Sequence, residues 1–383
     1  MPEAVIVATG RSPIGRAAKG SLVSYRPDDL LGYIVKKVLE KVPELPHEDI
    51  EDLITGCGFP HGQTGMNVGR LAVFLSGLPM SVPGTTVNRF CASSLQSIRM
   101  GYHAIKSGEA RAIVCAGVES VSRVNTMPAM EDINMRLFGE NALADAYITM
   151  GMTAENVADQ YNITREEMDE YAYGSQMRAS EAQESGFFDR EIITVATPEG
   201  NEVSKDDGIR PDTTLEKLAT LKPVFKEDGR VTAGNACPLN DGAAAVVVLE
   251  EEYAKSLGLK PLARIKGSAV SGLDPSIMGV GPIEACKRVF AQTGMTVKDI
   301  DVVELNEAFA AQVIPVSREV GWDMDRLNPH GGAIALGHPF GMTGARIMTT
   351  LINDLQTLDK TYGLETMCVG GGQGMAMIVE RLS

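Results

Sequence analysis

Aromatic residues are sparse in this chain, 5% of 383 residues with a single Trp, and no window approaches the ~20 consecutive apolar residues of a membrane span. Positive charge is also in deficit: 35 Lys and Arg stand against 50 Asp and Glu, a formal charge of −15. Such a field repels nucleic acid and anionic membrane surfaces, so neither is expected as a partner. The six cysteines lack paired short spacings, which excludes a secreted disulfide framework and a zinc site and fits a reducing compartment. There is no charged leader followed by an apolar stretch, and the terminal "RLS" is not a peroxisomal SKL signal. A cytoplasmic location is expected. Histidine is scarce as well, with five in all, so a histidine in an unusual setting carries weight.

What is present is globular: 44% apolar residues, 22% charged residues and 40 glycines, over a length that fits two or three domains. Arg210, Lys217, Lys222 and Lys226 punctuate one mixed segment, as a local anion site or as a solvated face. Short β-rich runs alternate with amphipathic runs of helical period, the pattern of an α/β fold. "EAVIVATG" reads as a strand, and "PDDLLGYIVKKVLEKV" puts Leu30, Ile34, Val38 and Leu39 on one helical face. The second half repeats the pattern. Asp49-Ile50 aligns with Asp299-Ile300, and "RAIVCAG" answers "LETMCVGGG", which sets Cys115 opposite Cys368. Two related βα halves would face a shared crevice, where ligands of open α/β sheets sit. Residues 122 to 240 match neither half and include "ITREEMDE", with Thr164 as N-cap and Glu167 at the capping-box position. The expected organisation is a first half over 1–121 completed by 241–265, an inserted lid or loop domain over 122–240, and a second half over 266–383.

Four segments carry chemistry. In "VNRFCASSLQSI", Cys91 lies between a strand, "GTTV", and a helix with an inward stripe of Leu95, Ile98, Tyr102 and Ile105. Cys91 is either a buried small hydrophobe or a nucleophile. At a helix start, free backbone N–H groups favour thiolate, lower its pKa and can hold an oxyanion. In "NPHGGAIALGHPFGMTGARIM", glycines surround two histidines, and His338, before Pro339, is biased to an extended turn that aims its ring into a cavity, as a base for Cys91 would need. "CVGGGQG" lacks the spacing and lysine of a nucleotide loop, so Cys368 at a strand turn suits proton transfer better than phosphate binding. In "NEAFAAQ", Asn306 can orient a water or cap a helix, and Glu307 can anchor the loop.

Together "NRFCASS", "NEAFA", "GGAIALGHPFGMTGAR" and "CVGGGQGMAM", in this order over residues 88 to 377, closely resemble the thiolase family. "RSPIG" near the start, "MGMTAENVA", "GNACPLNDGAAA" and "DPSIMGVGP" extend the match end to end. The resemblance implies a duplicated five-layer α-β-α-β-α architecture with an inserted loop domain. It implies Cys91 as nucleophile, His338 as its activating base, and Cys368 as a second acid/base acting at the α-carbon of acetyl-CoA. Asn306 would hold a water that, with His338, stabilises an enolate oxygen, while the N–H groups of Cys91 and Gly370 form a second oxyanion hole. Coenzyme A is implied as substrate, with no permanently bound cofactor or metal. Arg210 would meet its nucleotide end, and Met150, Phe225, Cys237, Ala308, Phe309 and Met278 would line its pantetheine arm. Cys237 stands where many members carry Ser, and Lys217 where some do, which removes two polar contacts. Homodimers or homotetramers are implied by the same analogy.

"VNRFCASS" looks more like the degradative 3-ketoacyl-CoA type than the biosynthetic acetoacetyl-CoA type with its "CGSG", and Thr149 replaces the latter's His. Acetoacetyl-CoA synthesis stays the nearest alternative. A decarboxylating ketosynthase could conscript His330 as its second histidine but needs no cysteine at 368. A non-catalytic acyl-CoA or lipid carrier would be expected to lack one of the four segments, and none is lacking.

Overall fold

The computed structural model describes residues 2–127, 130–139 and 141–383. The first half supplies β1 (Ala4–Arg11), β2 (Gly15–Arg16), α1 (Pro27–Leu39), β3 (Asp52–Gly56), α2 (Val68–Ser76), β4 (Gly84–Val87), α3 (Ser93–Ser107) and β5 (Ala112–Ser120). Then come α4 (Met150–Gln160), α5 (Arg165–Glu184), a small pair β6 (Val195–Ala196) and β7 (Glu202–Val203), and α6 (Leu215–Ala219). β8 (Asn240–Glu250) returns to the first sheet and leads through α7 (Glu251–Ser256) to β9 (Ala263–Gly272). The second half continues with α8 (Gly281–Thr293), β10 (Val302–Leu305), α9 (Ala310–Val320), α10 (Ala333–Leu336), α11 (Thr343–Thr357), β11 (Tyr362–Val369) and β12 (Gln373–Arg381). No helix of the described residues is long and apolar enough to cross a membrane.

The duplication is visible in the strand order. From a short antiparallel contact of β1 with β9, at Val5↔Arg264 and Ile6↔Ala263, one side runs β1-β8-β5-β3-β4 and the other β9-β12-β11-β10. The pairings match in sense: β3 with β5 and β10 with β11 are parallel, whereas β5 with β8 and β11 with β12 are antiparallel. The register also corrects one expected equivalence. Leu53 faces Val114 and Val303 faces Leu364, so Cys115 corresponds to Glu365, and Cys368 to Val118. The two cysteines share a strand position only to within three residues, because the motif glycines follow the end of β11 whereas Gly117 lies inside β5. The expected division at 265/266 falls inside β9, which pairs with β12 along its length.

Three apolar cores separate five layers. Leu30, Leu31, Ile34, Val35 and Val38 of α1 pack with Ala72 and Val73 of α2 on one face of the first sheet. Between the sheets lie α3 and α11, whose Leu95, Ile98, Ile105, Ile347, Leu351 and Leu355 share one core with Ile54, Ile113, Met367 and Val379. On the outer face of the second sheet, Cys286 and Val289 of α8 join Val313 and Ile314 of α9. The stripe read from the sequence on α3 is buried, as is that on α1. Thr164 and Glu167 form the capping box that opens α5.

The two central helices meet head to head. The Ala345 N–H donates to Ser94 Oγ at 2.9 Å, tying the start of α11 to the start of α3. Backbones touch here: a Cβ on Gly344 would lie 2.3 Å from Leu95 N, and one on Gly56 2.2 Å from Ser93 C. Overpacking of this kind costs about 1–3 kcal/mol. Gly56→Ala is therefore expected to lower the Tm by several degrees in a thermal melt, and a wild-type Tm would contradict this backbone contact.

Candidate active site

Cys91 sits in a single turn, Phe90–Ala92, just ahead of α3. Phe90 has φ +41°, a left-handed conformation rare for a bulky residue. Local hydrogen bonds hold it there: Asn88 Oδ1 accepts the Phe90 N–H at 2.7 Å, and Ser93 Oγ donates to Phe90 O at 2.7 Å. This sharp strand-to-helix corner turns the sulfur inward, where it accepts from its own N–H and from that of Gly370. The Gly370 amide is delivered by the turn between β11 and β12, where Gly371 and Gly372 have φ +77° and +79°.

The expected lowering of the Cys91 pKa does not occur. Burial pushes the thiol up to about 11, the two N–H groups offset only part of that, and the Glu119 carboxylate adds to the rise. The magnitudes explain the outcome. A helix terminus contributes about 0.3–1 kcal/mol, less than one pKa unit, whereas full burial shifts a group by up to several units.

His338 is also buried, at 1% exposure. Its Nδ1 lies 2.6 Å from Thr343 Oγ1, whose hydroxyl donates to Pro339 O at 2.8 Å. The threonine proton is thus committed, Nδ1 carries the ring proton, and Nε2 presents its lone pair beside Asn306 Nδ2 at 3.3 Å. Burial first, and the Arg346 guanidinium second, pull the imidazole down to about 3. The ring is a neutral base at physiological pH. Its backbone N–H donates to Asn240 Oδ1 at 2.9 Å. Asn306 Oδ1 is buried with no partner among the described residues.

Cys368 lies next to the last residue of β11, with its S–H donating to Gln312 Oε1 at 2.7 Å, and Gln312 Nε2 donates to Asn306 O at 3.2 Å. Burial pushes the Cys368 thiol up, and the sulfurs of Cys91 and Cys237 push it further. Cys91 likewise raises Cys237. Cys91 therefore lies close enough to raise both other thiols, where the sequence pointed to two as reactive.

Toward the inserted segment, a cavity of about 210 Å³ is lined by Arg16, Arg210, Lys217, Leu218, Ala236 and Ile334 among others. Arg210 is lowered by burial and then by Arg16, so two cations face each other at this cavity, while Lys217 is paired with Asp212 at 2.9 Å. Beside Ala236, the Cys237 N–H donates to Ala308 O at 3.0 Å. Phe225 meets Phe309 edge-on at 6.3 Å and lies directly over Gly151, next to Met150. The fold thus gathers Met150, Phe225, Cys237, Ala308 and Phe309 into one group of contacts beside Ala236. Met278 is fully buried in the second half's outer core. Glu307 accepts from Tyr171, Ser175, Asn328 and the Ile334 N–H, binding α5 to the loop before His338. His330 stands apart, 2.5 Å from Asp354 and stacked on Phe187.

Gln312, Thr343 and Asn240 escaped the sequence reading although each lies inside or beside a quoted motif. Their roles are set by a partner on another element, and the side-chain type alone gives no sign of it.

Two buried thiols, a neutral imidazole and a separate cavity lined by two arginines fit the class of acyl-transfer enzymes. Family models described as "Thiolase, N-terminal domain" and "Thiolase, C-terminal domain" match residues 4–252 and 259–381. The chain belongs to the thiolase family. It is 43% identical to a 3-ketoacyl-CoA thiolase of Bacillus subtilis, over 99% of this chain and 100% of that one. It is 44% identical to a β-ketoadipyl-CoA thiolase of Acinetobacter baylyi, over the full length of both. Human mitochondrial 3-ketoacyl-CoA thiolase in complex with CoA superposes with a TM-score of 0.91 at 37% identity, over 99% of this chain and 98% of that one.

A resting thiol with a pKa of about 11 has a checkable reactivity. Iodoacetamide alkylation of Cys91 is expected to rise about tenfold per pH unit from pH 7 to 10, since only thiolate reacts. A rate that levels off below pH 8 would mean a preformed thiolate.

Proposed function

We propose that the protein cleaves 3-ketoacyl-CoA with free CoA, giving acetyl-CoA and a shortened acyl-CoA, and that it serves fatty acid β-oxidation. The observation that carries this reading is the burial of Cys91, Cys368 and His338, with Cys91 close enough to raise Cys368 and with Asn306 and Gln312 linking Cys368 to the imidazole. His338 Nε2 takes the Cys91 proton, and the sulfur attacks the 3-keto carbon. The C2–C3 bond then breaks, leaving an acyl group on Cys91 and an acetyl-CoA carbanion. Cys368 gives that carbanion its proton; without a donor at that point the step would release a base far too strong for neutral pH. Free CoA gives its proton to the Cys368 thiolate and removes the acyl group, and the protonated His338 returns its proton to the departing Cys91 sulfur, so both thiols and the neutral imidazole are regenerated. The N–H groups of Cys91 and Gly370 would receive the thioester oxygen on the enzyme, and Asn306 with His338 the oxygen of the acetyl-CoA enolate. The two facing arginines suit the CoA phosphates, and the apolar wall from Phe225 to Phe309 suits its pantetheine arm.

Relatives differ in the acyl chains their names record, from 3-ketoacyl to β-ketoadipyl to acetyl. An aromatic cluster beside His338 favours an apolar chain here: Phe59 lies 6.0 Å from Phe90 and 5.7 Å from Phe340, which is 5.1 Å from the imidazole. The nearby Arg89 donates its Nε to Gln96 and its Nη1 to Gln373. β4 ends the sheet with its residues half-exposed, a strand edge that suits pairing in a homodimer or homotetramer.

Two outcomes test the reading. Cys91→Ala is expected to lower thiolysis by about 10⁴-fold or more while leaving CoA affinity intact, as measured by steady-state kinetics and calorimetry; retained turnover would end the assignment. Across substrates of increasing length, kcat/KM is expected to hold or rise beyond four carbons, and a sharp fall there would favour the acetoacetyl-CoA alternative.

A further inference from the structure

We propose that Glu119 is a positioning residue for this reaction: its carboxylate clamps the turn that carries His338 onto the Cys57–Phe59 segment of the other half, and only its ionised form holds the clamp. The inference rests on the thiolase reading for its kinetic readout and on separate observations for its substance.

Glu119 lies at the end of β5 with 1% exposure. Its Oε2 accepts the Gly58 N–H at 2.8 Å and the Gly341 N–H at 2.9 Å. Its Oε1 accepts the Phe59 N–H at 3.3 Å and faces the Cys57 thiol at 3.6 Å. One donor comes from the second half and three from the first. Gly341 lies between His338 and Thr343, the residue that fixes the imidazole tautomer. The same seam is closed by backbone contact. A Cβ on Gly341 would lie 2.3 Å from Val118 O and 2.7 Å from Cys57 Cα, and one on Gly117 2.2 Å from Gly341 O. A shift of this turn therefore moves the imidazole, its threonine and Phe340 together.

All four partners are donors, so a protonated Glu119 would present an O–H with no acceptor and lose at least one N–H bond. The groups facing it offer no cation. Cys57 and Cys91, on the first half's segments, are thiols pushed up by burial. β8 places Gly242 opposite, and the neighbouring Asp241 is held by Ser120 and Ser122. His338, on the turn itself, is neutral and engaged by Thr343 and Asn306. Burial accordingly raises Glu119 to about 7 despite its three N–H bonds. As pH falls through that value the carboxylate gains a proton and the turn loosens, so activity drops on the acid side. His338 and Cys91 titrate near 3 and 11, far from this limb.

The test is the pH dependence of kcat for 3-ketoacyl-CoA thiolysis, from pH 5.5 to 8.5, in wild type, Glu119→Gln and Cys57→Ala. Wild-type turnover at pH 8 establishes the thiolase reading independently of either variant. Wild type is expected to lose activity below pH 7. Glu119→Gln, whose amide opposes N–H to N–H, is expected to lose about a hundredfold in kcat at pH 8, with KM for CoA within about twofold and no limb near 7. Cys57→Ala, which removes one donor from the carboxylate, is expected to move the limb to higher pH. A wild-type limb persisting in Glu119→Gln, or unaltered kcat in that variant, overturns the proposal; should that variant not fold, a limb unmoved in Cys57→Ala does so.

Discussion

The start of α3 pressed against the start of α11 is the constraint on which the rest of the site depends. These two helices form the central layer, and each begins within a few residues of a side chain of the candidate site: Cys91 before one, His338 before the other. The Ala345 N–H on Ser94 Oγ joins them, and Gly56, Gly117, Gly341 and Gly344 remove every side chain that would hold the backbones apart. The duplication accounts for the arrangement. Two like halves, joined at the β1–β9 contact, point matching strand ends and helix starts at a common seam, and each contributes different chemistry to it.

Burial at the seam then sets the protonation states. Water is kept from Cys91, Cys368 and His338, so the charged form of each is disfavoured, and the thiols rise while the imidazole falls. These three side chains are uncharged at rest. In the proposed reaction, the N–H groups on Cys91 and Gly370 and the Thr343–His338 hydrogen bond are already oriented toward the charge that develops. Pre-oriented dipoles in a dry pocket stabilise such charge without reorganising. The neutral rest state thus raises the cost of forming thiolate and lowers the cost of holding the oxyanion that follows.

Much of this was legible in the sequence where one residue and its neighbours suffice. Cys91 was readable from strand, small residues and apolar stripe, His338 from glycines and a following proline, and the five-layer fold from the repeat and the family resemblance. Gln312, Thr343 and Asn240 were not, because each acts through a partner on a different element. Glu119 sits in "GVES", an unremarkable strand end, and its role depends on Gly341 more than two hundred residues away. The pKa of Cys91 was misjudged because a helix start is visible in sequence and the depth of burial is not. Cys115 and Cys368 were paired by counting along two similar segments, and only the β-ladder register showed the three-residue offset.

The central claim, that Cys91 carries the acyl group while Cys237 and Cys368 do not, is most directly tested by mass spectrometry of the enzyme mixed with 3-ketoacyl-CoA in the absence of free CoA. The account predicts one acyl group per chain, located on the peptide that contains Cys91, with acetyl-CoA released in equal amount. An acyl group on Cys237 or Cys368, or acetyl-CoA release with no acylated peptide, would contradict it.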